Sequence, residues 1–122
     1  MSRILPTLTA ITLLVVSSGS DSSAQKVKAS PNNVDCSTWS TSRAEKKYQV
    51  VEAFVHGMIT GMAVGADIEF WKAGGKEIKP PDVFLWMDKY CATNPESSGY
   101  AGAVVLINER TGNAWNRKFG IQ

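Results

Sequence analysis

His56 is the only histidine in the chain, and it stands four residues after Glu52. On a helix that spacing brings imidazole and carboxylate onto one face, the arrangement a general-base pair needs. Such a pair acts only beside a nucleophile or a bound substrate, and the neighbouring residues supply neither. Glu52, Asp67 and Glu69 can be posed as an acid–base set, but charges in this pattern are those of a solvated helix face. One histidine with scattered carboxylates lacks the spacing of a metal site. Gly74-Gly75 lacks the glycine pattern and the following Lys-Ser/Thr of a phosphate loop. Ser98-Gly99-Tyr100-Ala101-Gly102 has tyrosine where a nucleophile elbow has serine, and no histidine follows it. These residues point away from an enzyme and imply no cofactor and no metal.

The other reactive side chains are Cys36 and Cys91, the two cysteines of the chain. They follow an N-terminus with the marks of export. Residues 1–24 read as a secretory signal peptide: Arg3 supplies the positive region and residues 4–16 the apolar one. Ser22 and Ala24 are the small residues ahead of a cut before Gln25. The apolar run is short and broken by Pro6, Thr7 and Thr9, so it does not make a membrane span. An exported chain meets an oxidising compartment, where two cysteines pair, and a Cys36–Cys91 disulfide is expected. Cleavage leaves about 98 residues, the size of one domain. The formal charge stays near the +2 of the whole chain. Its excess lies at the ends, in Lys26, Lys28, Arg117 and Lys118, and there is no basic stripe with interleaved aromatics, so nucleic acid is not an expected partner.

Helices must position these residues. Residues 25–35 are polar and read as a disordered lead-in. Ser42-Arg-Ala-Glu45 fits a capping box opening a long helix. Tyr48, Val51, Val55, Met58 and Met62 recur at spacings of three and four, one buried stripe that Phe54 widens. Gly57, Gly61 and Gly65 are four apart on that helix and form a groove. Each costs about 1 kcal/mol against alanine, so close approach of another helix or a ring inside the monomer is expected, with a homodimer through this face as the alternative. Gly74-Gly75 and Pro80-Pro81 break the chain. Asp82 caps a second helix on which Val83, Trp86 and Tyr90 share the buried side. Asn94-Pro95 matches a further helix start, and a third helix runs through Ala103, Leu106 and Ile107 to about Arg110, stopped by Gly112. Residues 113–122 show no periodicity and read as a flexible tail. The fold expected is all-α: a small bundle of three to four helices with one disulfide, spanning residues 36–112.

Four tryptophans are many for this length. Trp86 is expected in the core beside Tyr90, and Trp39 over the disulfide. Phe70 and Trp71 sit in a charged, glycine-flanked segment with Lys72, Lys76 and Lys79. Exposed aromatics with flanking lysines are the composition of interface hot spots, so these five residues are the expected partner-binding surface.

The ordered set Cys36-x-x-Trp39, Phe54-x-x-Gly57-x-x-x-Gly61, Trp86-x-x-x-Tyr90-Cys91-x-x-Asn94-Pro95 and the apolar helix through Ala103 and Leu106 resembles the Rap/Tai family of periplasmic immunity proteins. It is also similar to the small exported helical proteins related to HdeA-type acid-stress chaperones. The resemblance implies a periplasmic, non-enzymatic helical protein. Through the immunity members, it implies a protein partner: a peptidoglycan amidase delivered by a type VI secretion system. Chaperone and structural envelope roles are the alternatives. The shared motifs are structural and assign no inhibitory residue.

Overall fold

The computed structural model describes residues 34–122. The segments expected to be a signal peptide and most of a disordered lead-in lie outside the described residues. Val34 and Asp35, expected in the disordered lead-in, are part of the fold. Val34 is buried, its carbonyl accepts from Gly99 N at 2.7 Å, and Cys36 N donates to Ser97 O. Asp35 is the N-cap of α1 (Cys36–Ala44), its Oδ1 accepting from Thr38 N at 2.7 Å. That backbone N–H bond, followed by a bond to the Thr38 side chain, holds the Asp35 carboxyl below its ordinary range. Ser42 therefore lies inside α1 and does not cap the long helix.

Four more α-helices follow: α2 (Gln49–Gly65), α3 (Pro80–Thr93), α4 (Gly99–Thr111) and α5 (Ala114–Phe119), with a 3₁₀ turn at Ala73–Gly75. The described residues contain no strand, only one isolated bridge between Asp35 and Ser98. α1 packs on α3, α2 on α3 and α4, and α5 on α4. The all-α bundle stands, with five α-helices among the described residues rather than the three to four expected. Asn94 ends α3, and α4 begins at Gly99 behind Ser98, whose Oγ accepts from Ala101 N at 3.0 Å. Gly112 stops α4 in the left-handed region at φ 60°. The C-terminal stretch is not a featureless tail. α5 docks Trp115 against the core, and Asn108 clasps it through Asn116 in both directions. Six residues carry too little periodicity to be read as a helix from sequence, and tertiary contact forms this one.

The core is one cluster. Along α2 the buried positions are Val51, Val55, Ile59 and Ala63. This is the expected stripe turned part of a helical face: Met58 and Met62 are its partly buried flank, while Tyr48 and Phe54 are exposed at 39% and 38%. Along α3 the buried line is Val83, Met87 and Cys91, one step round from the expected Val83, Trp86 and Tyr90. Trp86 and Tyr90 stack at the edge of the core with centroids 5.2 Å apart. Their polar atoms explain the position. Trp86 Nε1 donates to Glu109 at 3.0 Å, and Tyr90 Oη bonds Ser97 Oγ at 2.7 Å, so each keeps one end at the polar surface.

The Cys36–Cys91 disulfide forms between the first turn of α1 and the last of α3, both residues 1% exposed. Trp39, one turn on, is fully buried and donates Nε1 to Asp88 at 2.8 Å.

The close-approach glycines are not those of the long helix. A methyl group at Gly57, Gly61 or Gly65 would meet no other atom within 4 Å, because all three face outward. Among the described residues nothing packs into them as a groove. Gly99 and Gly102 fill that role. A Cβ at Gly99 would lie 2.6 Å from the Val34 carbonyl oxygen, and one at Gly102 would lie 2.9 Å from the Tyr90 ring. Gly102→Ala should destabilise the fold by about 1–3 kcal/mol through overpacking, whereas Gly57→Ala should not destabilise the monomer. Urea unfolding of both variants at low concentration checks the contrast. Equal effects would refute it.

Candidate functional site

The expected contact surface lies on the connection from α2 to α3, and the structure divides its five residues. Asp67, at φ 54°, turns the chain out of α2, while Ile68 N bonds back to Ala63 O at 2.9 Å. The turn drives Phe70 inward, where it is 1% exposed. Phe70 is thus a core residue and not a contact residue. A ring of this size gains more from the apolar interior than from the surface. Trp71 is half-buried, with its ring edge-on to Phe70 at 4.9 Å and to His56 at 5.3 Å. Lys72, Lys76 and Lys79 are exposed. His56 therefore pairs with an aromatic ring, and Glu52 pairs elsewhere, so the two do not form a base pair.

One side chain holds this connection in shape. Arg110 of α4 donates Nε to Phe70 O at 3.0 Å and Nη2 to Lys76 O at 2.6 Å, with Trp71 O at 3.4 Å. Its guanidinium lies 5.4 Å from the Phe70 ring centroid. Ile78 N closes the loop on Trp71 O at 2.9 Å. Glu69 caps the turn by accepting from Lys72 N at 3.0 Å, and Asp82 accepts from Lys79 N at 3.0 Å. Gly74 and Gly75 take the positive φ values, 61° and 74°, that the tip requires. The lysines consequently project from a backbone that is tied at both ends and in the middle.

The end of α2 and the start of the connection enclose a cleft of about 420 Å³, lined by residues that include Asp67, Glu69 and Trp71. The Thr60 hydroxyl, buried beside it, has no hydrogen-bond partner among the described residues.

Arg43 forms a second polar cluster. It makes a bidentate pair with Asp88, Nε and Nη2 each at 2.8 Å, and a further ion pair with Glu52. It also lies over the Trp39 and Tyr48 rings at 5.3 and 5.5 Å. Hydrogen bonding to Asp88, then the charges of Asp88 and Glu52, raise its pKa further above the ordinary arginine value. The cluster ties α1, α2 and α3 together, as a structural clamp does. Sequence reasoning missed both arginines. Apart from Glu52, nine residues from Arg43, their hydrogen-bond partners are 34 to 45 residues away, and no local pattern signals them.

Among the described residues no group of three or more His, Cys, Asp or Glu side chains is placed to hold a metal, and no helix is long and apolar enough to cross a membrane. No family model, curated protein or solved structure matches this chain.

Proposed function

We propose that the protein is an exported, non-enzymatic binding protein of the immunity type, which blocks a peptidoglycan amidase by covering its cleft. The observation that carries the reading is the Arg110-tied connection presenting Lys72, Lys76 and Lys79. A loop already held in its bound shape loses little entropy on docking, and its three lysines, set against the single carboxylate of Glu77 between them, favour a partner with an acidic surface. The disulfide suits work in an oxidising compartment such as the periplasm. The ordered motif set that resembles the Rap/Tai family supplies the identity of the partner.

The test is a pull-down of the oxidised protein with candidate peptidoglycan amidases, followed by titration of the amidase that binds. Lys72→Glu/Lys76→Glu/Lys79→Glu should weaken that complex at least tenfold and leave the melting temperature unchanged, since all three side chains are exposed. Full affinity in the triple variant would remove the loop from the interface. Capture of many unrelated proteins, and only at acid pH, would replace the reading with an acid-stress chaperone.

A further inference from the structure

Arg110 is a half-buried cation whose donors are only partly used. Nε and Nη2 donate to the carbonyls of Phe70, Trp71 and Lys76. Nη1 has no hydrogen-bond partner among the described residues, and both ion pairs found there belong to Arg43. A guanidinium holds five donors in one rigid plane, and a carboxylate is the group that matches it. Arg110 lines a cleft of about 550 Å³ between the connection, α3 and α4, a volume that suits a small molecule. Its walls are of two kinds. Ile78, Leu106 and the Trp86 ring are apolar, and Leu106, 2% exposed, forms the floor. Arg110, Lys76 and Glu109 carry the charge. Glu109 is half committed, because its Oε2 accepts from Trp86 Nε1 at 3.0 Å. The other acidic groups of the connection and of the start of α3 are placed elsewhere. Asp67 and Glu69 line the second cleft, Asp82 accepts from Lys79 N, and Glu77 is exposed. Lys72 and Lys79 are exposed and do not line this cleft.

From this arrangement we infer that the cleft binds a small organic monocarboxylate with an apolar body, of the chemistry of a branched aliphatic acid or an apolar α-amino acid. The carboxylate is held by Arg110 and Lys76, and the body lies on Ile78, Leu106 and the Trp86 ring. Charge-assisted bonds from a guanidinium are among the strong ones. Entry breaks nothing. The bonds that tie the connection use Nε and Nη2, and the carboxylate takes Nη1. Glu109 sets the selectivity. A second carboxylate on the ligand meets its charge and is repelled, whereas an α-ammonium is attracted. The site therefore takes monocarboxylates and apolar amino acids ahead of dicarboxylates. This inference goes beyond the amidase reading and does not rest on it. Lys76 is the one residue common to the cleft and the proposed contact surface. A ligand this small reaches a dissociation constant on the order of a millimolar.

Isocaproate, titrated to about 20 mM into the isotope-labelled, oxidised protein, should shift the Trp86 indole N–H resonance and the Ile78 and Leu106 amides saturably. Isocaproamide has the same shape without the charge and should bind at least about tenfold more weakly. Leucine, which adds an ammonium, should bind no more weakly than isocaproate. Glutarate should bind more weakly, and Glu109→Gln, which keeps an acceptor for Trp86 Nε1, should bring it up to isocaproate. Arg110→Gln should lose the response. Because Arg110 also ties the connection, the comparison of acid with amide on the unaltered protein decides the matter without that variant. No saturable shift with isocaproate, equal binding of acid and amide, or shifts that leave Trp86 unmoved would each overturn the site. Glutarate binding as tightly as isocaproate to the unaltered protein would overturn the role of Glu109.

Discussion

Replacing Cys36 and Cys91 together by serine should cost about 4 kcal/mol of stability, the chain-entropy value for closing a loop across a separation of 55 residues. For a domain of this size that is a fall in melting temperature on the order of 20 °C. The loop encloses α1, α2 and α3 up to its last turn, so nearly half of the unfolded chain is freed when the bridge is absent. α1 bears the loss unevenly. It has nine residues, too few for a helix stable by itself, and it is held by the disulfide, by Trp39 beneath the surface and by the Arg43 pair with Asp88. In native-state hydrogen exchange the α1 amides should lose protection first in the serine variant, before those of α4. A loss of under about 1 kcal/mol, or uniform loss of protection, would show that the bridge does not limit the unfolded chain in this way.

Local chemistry was legible and handedness around a helix was not. Gly112, which stops α4 in the left-handed position, is a feature of a single residue, and reading it needs no knowledge of the rest of the fold. The start of α3 was misplaced: Asp82, expected as its N-cap, is its third residue, because Pro80 already opens the helix behind Lys79. The buried stripe of α2 is different. Its period was plain, but a helix apolar on two sides offers two stripes. Val51, Val55, Ile59 and Ala63 went inward because α3 and α4 lie there. Val50, Phe54 and Val64, with the same period, were left outside. The glycines followed the same logic. Gly57 and Gly61 looked like a packing groove because spacing marks a face, while spacing does not say what the face meets. Gly99 and Gly102 carried no stronger signal, yet the Val34 carbonyl and the Tyr90 ring come against them. Arg43 and Arg110 were beyond reach for a related reason: an arginine's partners depend on which helices become neighbours.

Phe70→Ala should lower stability by about 3–5 kcal/mol, the range for truncating a fully buried aromatic ring. The cost has two parts. The first is the lost burial and the cavity left among the core residues. The second arises at Arg110, whose guanidinium lies over the ring while its Nε–H bonds the Phe70 carbonyl. Without the ring, one wall of the arginine's site is gone, and the connection carrying the lysines should loosen with it. Phe70→Leu separates the parts: it keeps an apolar filling and should recover most of the core term, leaving a cost below about 1.5 kcal/mol. Chemical denaturation of the two variants measures both. The adjacent Trp71 is half-buried, so Trp71→Ala should be the milder change for stability despite the larger ring. That order, Phe70 above Trp71, reverses what an exposed aromatic pair would give. If Phe70→Ala costs under about 1 kcal/mol, the connection stands independently of the core and Arg110 alone sets its shape. If Trp71→Ala proves the costlier, the weight of the connection rests on its outer ring, and partner-binding losses in that variant could not be read as lost contact.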